Sequence, residues 1–209
     1  KTIQNPRIMN RIMNSASDLK SLIIQHAEDA ELSKDGMIND GIIATKLGLQ
    51  GIPISAELLI IERDLTLLEY NNCRYHIAQI SSANSVDIIR ERKNKVNFSC
   101  GVSINNLSLN ENDIGDFKTF LKLSPPLRTE TDRNALVQGL NDKTIDVIVS
   151  DHKPEDEENK RLTFAQAETG ASGIETLLPL SLELYHNGSV ELETIIKALT
   201  SKPAEILKI

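Results

Sequence analysis

The sequence predicts an α/β protein built on parallel strands covered by helices. Three observations carry this expectation. Apolar, β-branched runs recur at 21–26, 74–79, 96–101 and 145–151, and helical patterns stand between them. The connections are short, which returns each strand beside the last and in the same direction. No GxGxxG or Walker sequence follows an early strand, which argues against a doubly wound nucleotide-binding sheet. The other arrangement is a TIM-type (β/α) barrel, whose sites lie at the C-terminal ends of its strands. Four strands are half of such a barrel. Either the sheet is open, or the 209 residues are a piece of a longer protein, and the first helix arriving with no strand before it favours the second.

Each element has a local reason. Residues 6 to 20 form a helix, because Pro6 suits a first turn and Ile8, Met9, Ile12, Met13, Ala16 and Leu19 recur at helical spacing. The run 21-SLIIQHAED-29 is a buried strand that ends in polar residues. Residues 30 to 52, with Gly36, Gly41, Gly48 and Gly51, read as a loop with short helical pieces. The segment 53-PISAELLIIERDLTLLEY-70 opens with Pro, Ser and Glu and keeps an apolar stripe, so it is a helix. The pattern then repeats: strand 74–81, helix 82–95 with a basic end, strand 96–103, polar loop 104–117, and an extended segment 118–128 stopped by two prolines. A helix with an acidic start covers 129–142, and a strand covers 145–151. A long loop follows at 154–173, then helices at about 174–187, 190–199 and from 203.

Composition narrows the function. Apolar residues make up 40% and charged residues 25%, as in an ordinary globular protein. The net charge of −7, without a basic block, excludes a nucleic-acid footprint, and 3% aromatics without Trp exclude a stacking platform. No apolar run approaches the ~20 residues of a membrane span, and the start lacks the apolar core of a signal peptide. Cys73 and Cys100 form no CxxC pair and are expected as free, buried thiols, so the simplest location is the cytoplasm.

The residues that stand out for chemistry sit at strand ends. In 146-DVIVSDHKPED-156 an apolar strand runs straight into Asp151 and His152. A buried carboxylate beside an imidazole is costly unless it is paired or bound to a metal. His26 ends the first strand and His76 sits in the second. If the strands share one barrel, His26, His76 and Asp151 converge on one rim, and two imidazoles with a carboxylate suit a divalent metal such as zinc. His186 fits a helix C-terminus, where the dipole favours it. Glu28 and Asp29 read as backbone hydrogen-bonders, and 155-EDEE-158 as a solvated loop. Arg128, in 124-SPPLR-128, is either paired with a nearby acid or available to a carboxylate ligand. Gly170 and Gly173 either bring backbone N–H groups to a ligand or form a plain turn before a helix.

Four segments, 24-IQHAED-29, 75-YHIAQISSANSVDIIR-90, 121-LKLSPPLRTETDRNALVQGLNDKTIDVIVSDHKP-154 and 164-FAQAETGASGIETLLPL-180, resemble the dihydroorotases, most of all the larger bacterial class of these cyclic amidohydrolases. The resemblance runs in order from about residue 5 to 209. It implies a metal-dependent TIM-type barrel, of which this chain holds the second half, so that residues 1–209 form a partial barrel domain without the N-terminal barrel half and the flanking β domain. It implies zinc, one or two ions, held by His26, His76 and Asp151, with Asp151 also the catalytic acid/base. It implies the reversible cyclisation of N-carbamoyl-L-aspartate to dihydroorotate in pyrimidine biosynthesis, a homo-oligomer, and substrate contacts at Ser124, Arg128, Glu155 and Gly170.

Departures accompany the resemblance. The family's His-x-His pair, its Asp-Asp-Gly segment and the Arg that grips the substrate carboxylate are absent from these residues. Ser124 stands where Asn is common, Glu155 where His is common, and Asn105 and Asn106 replace a His pair. Two alternatives follow: a catalytically silent subunit that serves as a scaffold for aspartate transcarbamoylase, or a hydantoinase- or allantoinase-like enzyme. Under each, the 209 residues alone are expected to be inactive.

Overall fold

A computed structural model describes residues 2–209. The chain opens with α1 (Pro6–Leu19), capped by the Asn5 side chain, which accepts from the Arg7 and Ile8 N–H groups, and ended by Lys20 in the left-handed region. Strand β1 (Leu22–Gln25) follows. A small excursion holds β2 (Ile38–Asn39), α2 (Ile42–Leu47) and β3 (Gly51–Ile52), with β2 and β3 paired in parallel. Then come α3 (Ser55–Leu68), β4 (Arg74–Ile80), α4 (Ala83–Arg92) and β5 (Ser99–Ser103). The stretch expected as a polar loop forms α5 (Ile104–Ser108) and a 3₁₀ turn at Glu111–Ile114, because Ser103 and Asn110 cap them. A second 3₁₀ turn, Thr119–Leu121, interrupts the expected extended segment before the cis Ser124–Pro125 bond. Helix α6 (Glu130–Asn141) starts on a Thr129/Asp132 capping box and leads to β6 (Val147–Val149). The long loop carries a single turn, α7 (Glu157–Lys160), and α8 (Ile174–His186), α9 (Leu192–Leu199) and α10 (Ser201–Leu207) finish the described residues.

Among the described residues the main sheet has four parallel strands in the order β1-β4-β5-β6, so each chain-consecutive strand lies beside the last with a helix between them. The sheet has two faces with different fates. Its outer face (Tyr75, Ile77, Ile80, Cys100, Val102 and Ile148) packs with Met9, Met13, Ile61, Leu65, Val86, Ile89, Leu136, Leu140 and Ile195 from the helices. Its inner face carries Ile24, His76, Ala78, Val147 and Val149, and α10 covers the lower part of it. This is the inside of a barrel wall. A second apolar cluster of Ile38, Ala44, Ile114, Leu123, Leu127 and Phe164 supports the loops beyond the strand ends. Both cysteines are free and buried, as expected. No described helix is long and apolar enough to cross a membrane.

One irregularity positions the site. Ile77 pairs with Cys100, but the next pair is Ile80 with Val102, so Ala78 and Gln79 together oppose Gly101. This is a β-bulge, which turns two successive side chains toward the same side. Gly101 permits it: a Cβ there would stand 2.6 Å from the Ala78 carbonyl oxygen and 3.0 Å from Val147 Cγ2.

Candidate active site

The strand ends open into a cavity of 980 Å³ whose walls include His26, Glu28, Gln79, Ser124, Asp151, Lys153 and Gly170. His26 is the first residue beyond β1. Its Nε2 lies 3.3 Å from Glu28 Oε2 and 3.2 Å from Ser124 Oγ, and Ser124 Oγ donates to Glu28 Oε2 at 3.0 Å. The hydrogen bond with His26 holds the Glu28 carboxyl below its usual range despite burial.

Asp151 lies two residues past β6 and takes a positive φ of 50°, which bends the chain back over the strand end. The bend is locked from behind. A Cβ at Gly173 would stand 2.1 Å from the Ser150 carbonyl oxygen, and His152 Nδ1 accepts from the Gly173 and Ile174 N–H groups at the start of α8. His152 therefore serves the helix and leaves the cavity to Asp151. Gln79 Nε2 donates to Asp151 Oδ1 at 2.8 Å. Burial raises the Asp151 carboxyl, against the lowering effect of that hydrogen bond.

His76 lies apart from the other two. The expectation placed it with His26 and Asp151 on one rim. It sits instead opposite Ile24 and Ser99, whereas His26 is two residues further along β1 than Ile24. Two residues amount to ~6.6 Å of strand. His76 faces the barrel interior below the cavity, with Nδ1 2.8 Å from Ser99 Oγ, and burial disfavours its charged form. The β4 residue at the cavity is Gln79, brought there by the bulge, and a residue-type search for metal ligands passes over it.

Other expectations are met unevenly. Ser124 and Gly170 line the cavity. The Gly170 N–H, however, donates to Lys122 O, so it offers no free donor; glycine is needed because φ is 138° and a Cβ would lie 2.5 Å from Lys153 O. Arg128 is buried and stays away from the cavity. Its guanidinium donates to Asn39 Oδ1, Ile52 O and Ser81 Oγ, which joins the excursion to the end of β4. Glu155 is also off the cavity wall, paired with Lys153 at 3.2 Å. Asn105 and Asn106 are buried in α5, where Asn106 donates to Pro126 O, so they do not bear on the cavity. Lys153 was not anticipated. It is the one lysine or arginine on the cavity wall among the described residues. Its identity was readable beside Asp-His, but its direction was not.

The donors present do not by themselves fit zinc. Among the described residues no three His, Cys, Asp or Glu side chains stand close enough to hold a metal ion. His26 Nε2 is already engaged by Glu28 and Ser124, and Asp151 by Gln79.

Solved structures match this parallel half barrel. The fold superimposes on L-hydantoinase (dihydropyrimidinase) from Arthrobacter aurescens with a TM-score of 0.85 at 24% identity, covering 98% of this chain and 47% of that one. It superimposes on the dihydroorotase of Saccharomyces cerevisiae, solved with 5-fluoroorotic acid, with a TM-score of 0.76 at 14% identity, covering 99% and 56%. Sequence narrows the class. Residues 2–85 match the family model described as dihydro-orotase-like. The chain is 42% identical over 209 residues to the dihydroorotase of Ehrlichia canis (strain Jake), covering 99% of this chain and 47% of that protein, and 38% identical over 208 residues to that of Desulforapulum autotrophicum, covering 99% and 49%. The chain is similar to dihydroorotases along its whole length and spans about half the length of the curated relatives it matches.

Proposed function

We propose that the complete protein opens and closes the ring of dihydroorotate, interconverting it with N-carbamoyl-L-aspartate in pyrimidine biosynthesis in the cytoplasm. The observation that carries the reading is a half-buried carboxylate, Asp151, facing an open cavity at a strand end in a chain 42% identical along its length to a dihydroorotase. Asp151 takes a proton from water as the water oxygen bonds to the ring amide carbonyl carbon. It returns the proton to the ring nitrogen as the carbon–nitrogen bond breaks. Burial supports this role, because it raises the proton affinity of the carboxylate. Lys153 is placed to attract the substrate carboxylate, and its pairing with Glu155 offsets the acid that would repel it. Ser124 and the Gly170 backbone shape the wall opposite.

Zinc enters the reading only as a requirement on the complete barrel, to which this chain would bring His26 and Asp151. The test is hydrolysis of dihydroorotate by the complete protein. Asp151→Asn is expected to abolish turnover with the fold retained. Lys153→Ala is expected to raise KM roughly 10-fold, the loss of one charge-assisted contact of about 1.4 kcal/mol, with little change in kcat. Turnover that survives Asp151→Asn would remove the proton-transfer role.

A second reading has an observation of its own. With Gln79 on Asp151 and His26 engaged by Glu28, the site also suits a silent subunit that acts as a scaffold for aspartate transcarbamoylase or for copies of itself. No turnover in an intact, zinc-supplied protein, together with a stable complex, would favour it. Ring opening of hydantoin but not of dihydroorotate would favour a hydantoinase-like relative instead.

A further inference from the structure

We infer that β4 supplies no zinc ligand in this protein, and that Gln79 instead latches the Asp151 carboxylate. The inference rests on reading the cavity as an amidohydrolase site and departs from the zinc centre that such a site implies. Two side chains of β4 could reach inward toward that centre, His76 and Gln79. His76 is out of step, level with Ile24 on β1 while His26 stands two residues further on. Its ring is held by Ser99 Oγ, 2.8 Å from Nδ1, and its Nε2 lies on the Gly101 side, where an added Cβ would stand 3.5 Å away.

Gln79 is in step, since the bulge turns it onto the cavity beside Asp151. Its amide orientation is fixed by charge. Nε2 donates to Asp151 Oδ1, and the reversed amide would set a carbonyl oxygen against a carboxylate. Oε1 is left buried and without a hydrogen-bond partner, so the amide is held by its bond to Asp151 alone. The lone pair of an amide nitrogen is delocalised into its carbonyl and is not available to a metal, and the proton it donates occupies the Asp151 oxygen that faces it. An imidazole at the same place would offer an acceptor nitrogen of the kind zinc selects. The latch therefore orients Asp151 and leaves the β4 side of the centre without a ligand.

The test counts zinc in the complete protein, stripped with a chelator, titrated with zinc chloride and analysed by mass spectrometry of the metal. Gln79→His is expected to take up about one more equivalent per chain than the parent. Gln79→Leu, which breaks the latch but adds no ligand, and His76→Ala are both expected to match the parent. Loss of an equivalent in His76→Ala or in a folded Gln79→Leu overturns the inference, as does a folded Gln79→His that gains nothing. If Gln79→His does not fold, the His76→Ala count decides alone. Turnover on dihydroorotate is recorded separately. Zero turnover with the expected zinc counts would defeat the reaction and leave the latch standing, whereas altered counts at His76 would defeat the latch whatever the turnover.

Discussion

Asp64 shows how one buried charge can organise a barrel wall. It is fully buried on α3, yet it accepts from Gln25 Nε2 at 2.6 Å, from the Tyr75 hydroxyl at 2.6 Å and from Arg63 Nε at 2.8 Å. These bonds tie α3 to β1 and β4, the two strands that carry His26 and Gln79. Burial outweighs the three donors and raises its pKa above 3.8. The native state thus keeps this proton to higher pH than the unfolded chain. The stabilisation from that proton is full below about 3.8 and is lost as pH rises through the raised value. Urea unfolding across that window is expected to show a falling contribution in the parent that is absent in Asp64→Asn. Parallel pH profiles for the two would refute the assignment. Asp64→Leu, which leaves the buried Gln25 and Tyr75 donors and the partly buried Arg63 without this acceptor, is expected to cost about 3–5 kcal/mol. None of this was legible in the sequence, where Asp64 is one acid in a charged helical stretch and nothing marks its partners.

At the scale of elements, the bulge in β4 decides which chemistry reaches the cavity. The β-branched runs located every strand of the main sheet, because each must be apolar on both faces when helices cover one side and a barrel interior lies on the other. Strand periodicity could not locate the bulge, since a strand read with a strict period of two places His76 and Ala78 inward and turns Gln79 away. One extra residue leaves His76 and Ala78 inward and adds Gln79 to the same side nearer the cavity, where the expected site had a histidine. The signal that would have found it is Gly101 in the neighbouring strand, since glycine inside a strand often marks a bulge or a close backbone approach. Gly101→Ala is expected to destabilise the fold by about 1–3 kcal/mol, because the new methyl meets the Ala78 carbonyl, which cannot give way as a flexible side chain would. It should also loosen the Gln79–Asp151 bond. Unchanged stability, measured by denaturant unfolding, would mean that the bulge relaxes freely and does not fix Gln79. The positions of Asp151 and Ser124 on the cavity wall, by contrast, were legible, because each sits at an abrupt break in pattern, a strand running into acids or a turn into two prolines.

For the whole molecule, the described residues form a barrel wall with two open edges. β1 and β6 each have one neighbour in the main sheet, and their outward peptide groups are available for pairing. The inner face adds apolar surface: Ile24 is 55% exposed, level with His76 and directed to the barrel interior. Because all four strands are parallel, a twofold axis along the barrel direction would set β6 of one copy beside β1 of another in the parallel sense, so two copies can satisfy both pairs of edges. The 209-residue chain prepared by itself is therefore expected to associate with rising concentration, as followed by light scattering after size exclusion. Ile24→Lys places a charge on the inner face, which costs little while that face is wet and much once it is closed. It should lower association strongly while leaving the melting temperature of the separated chain within a few degrees, since the outer core that holds the helices does not involve Ile24. A chain that stays monomeric at high concentration, or an Ile24→Lys variant that associates as the parent does, would show that the edges are shielded by their own helices and that this half barrel is stable as an open sheet.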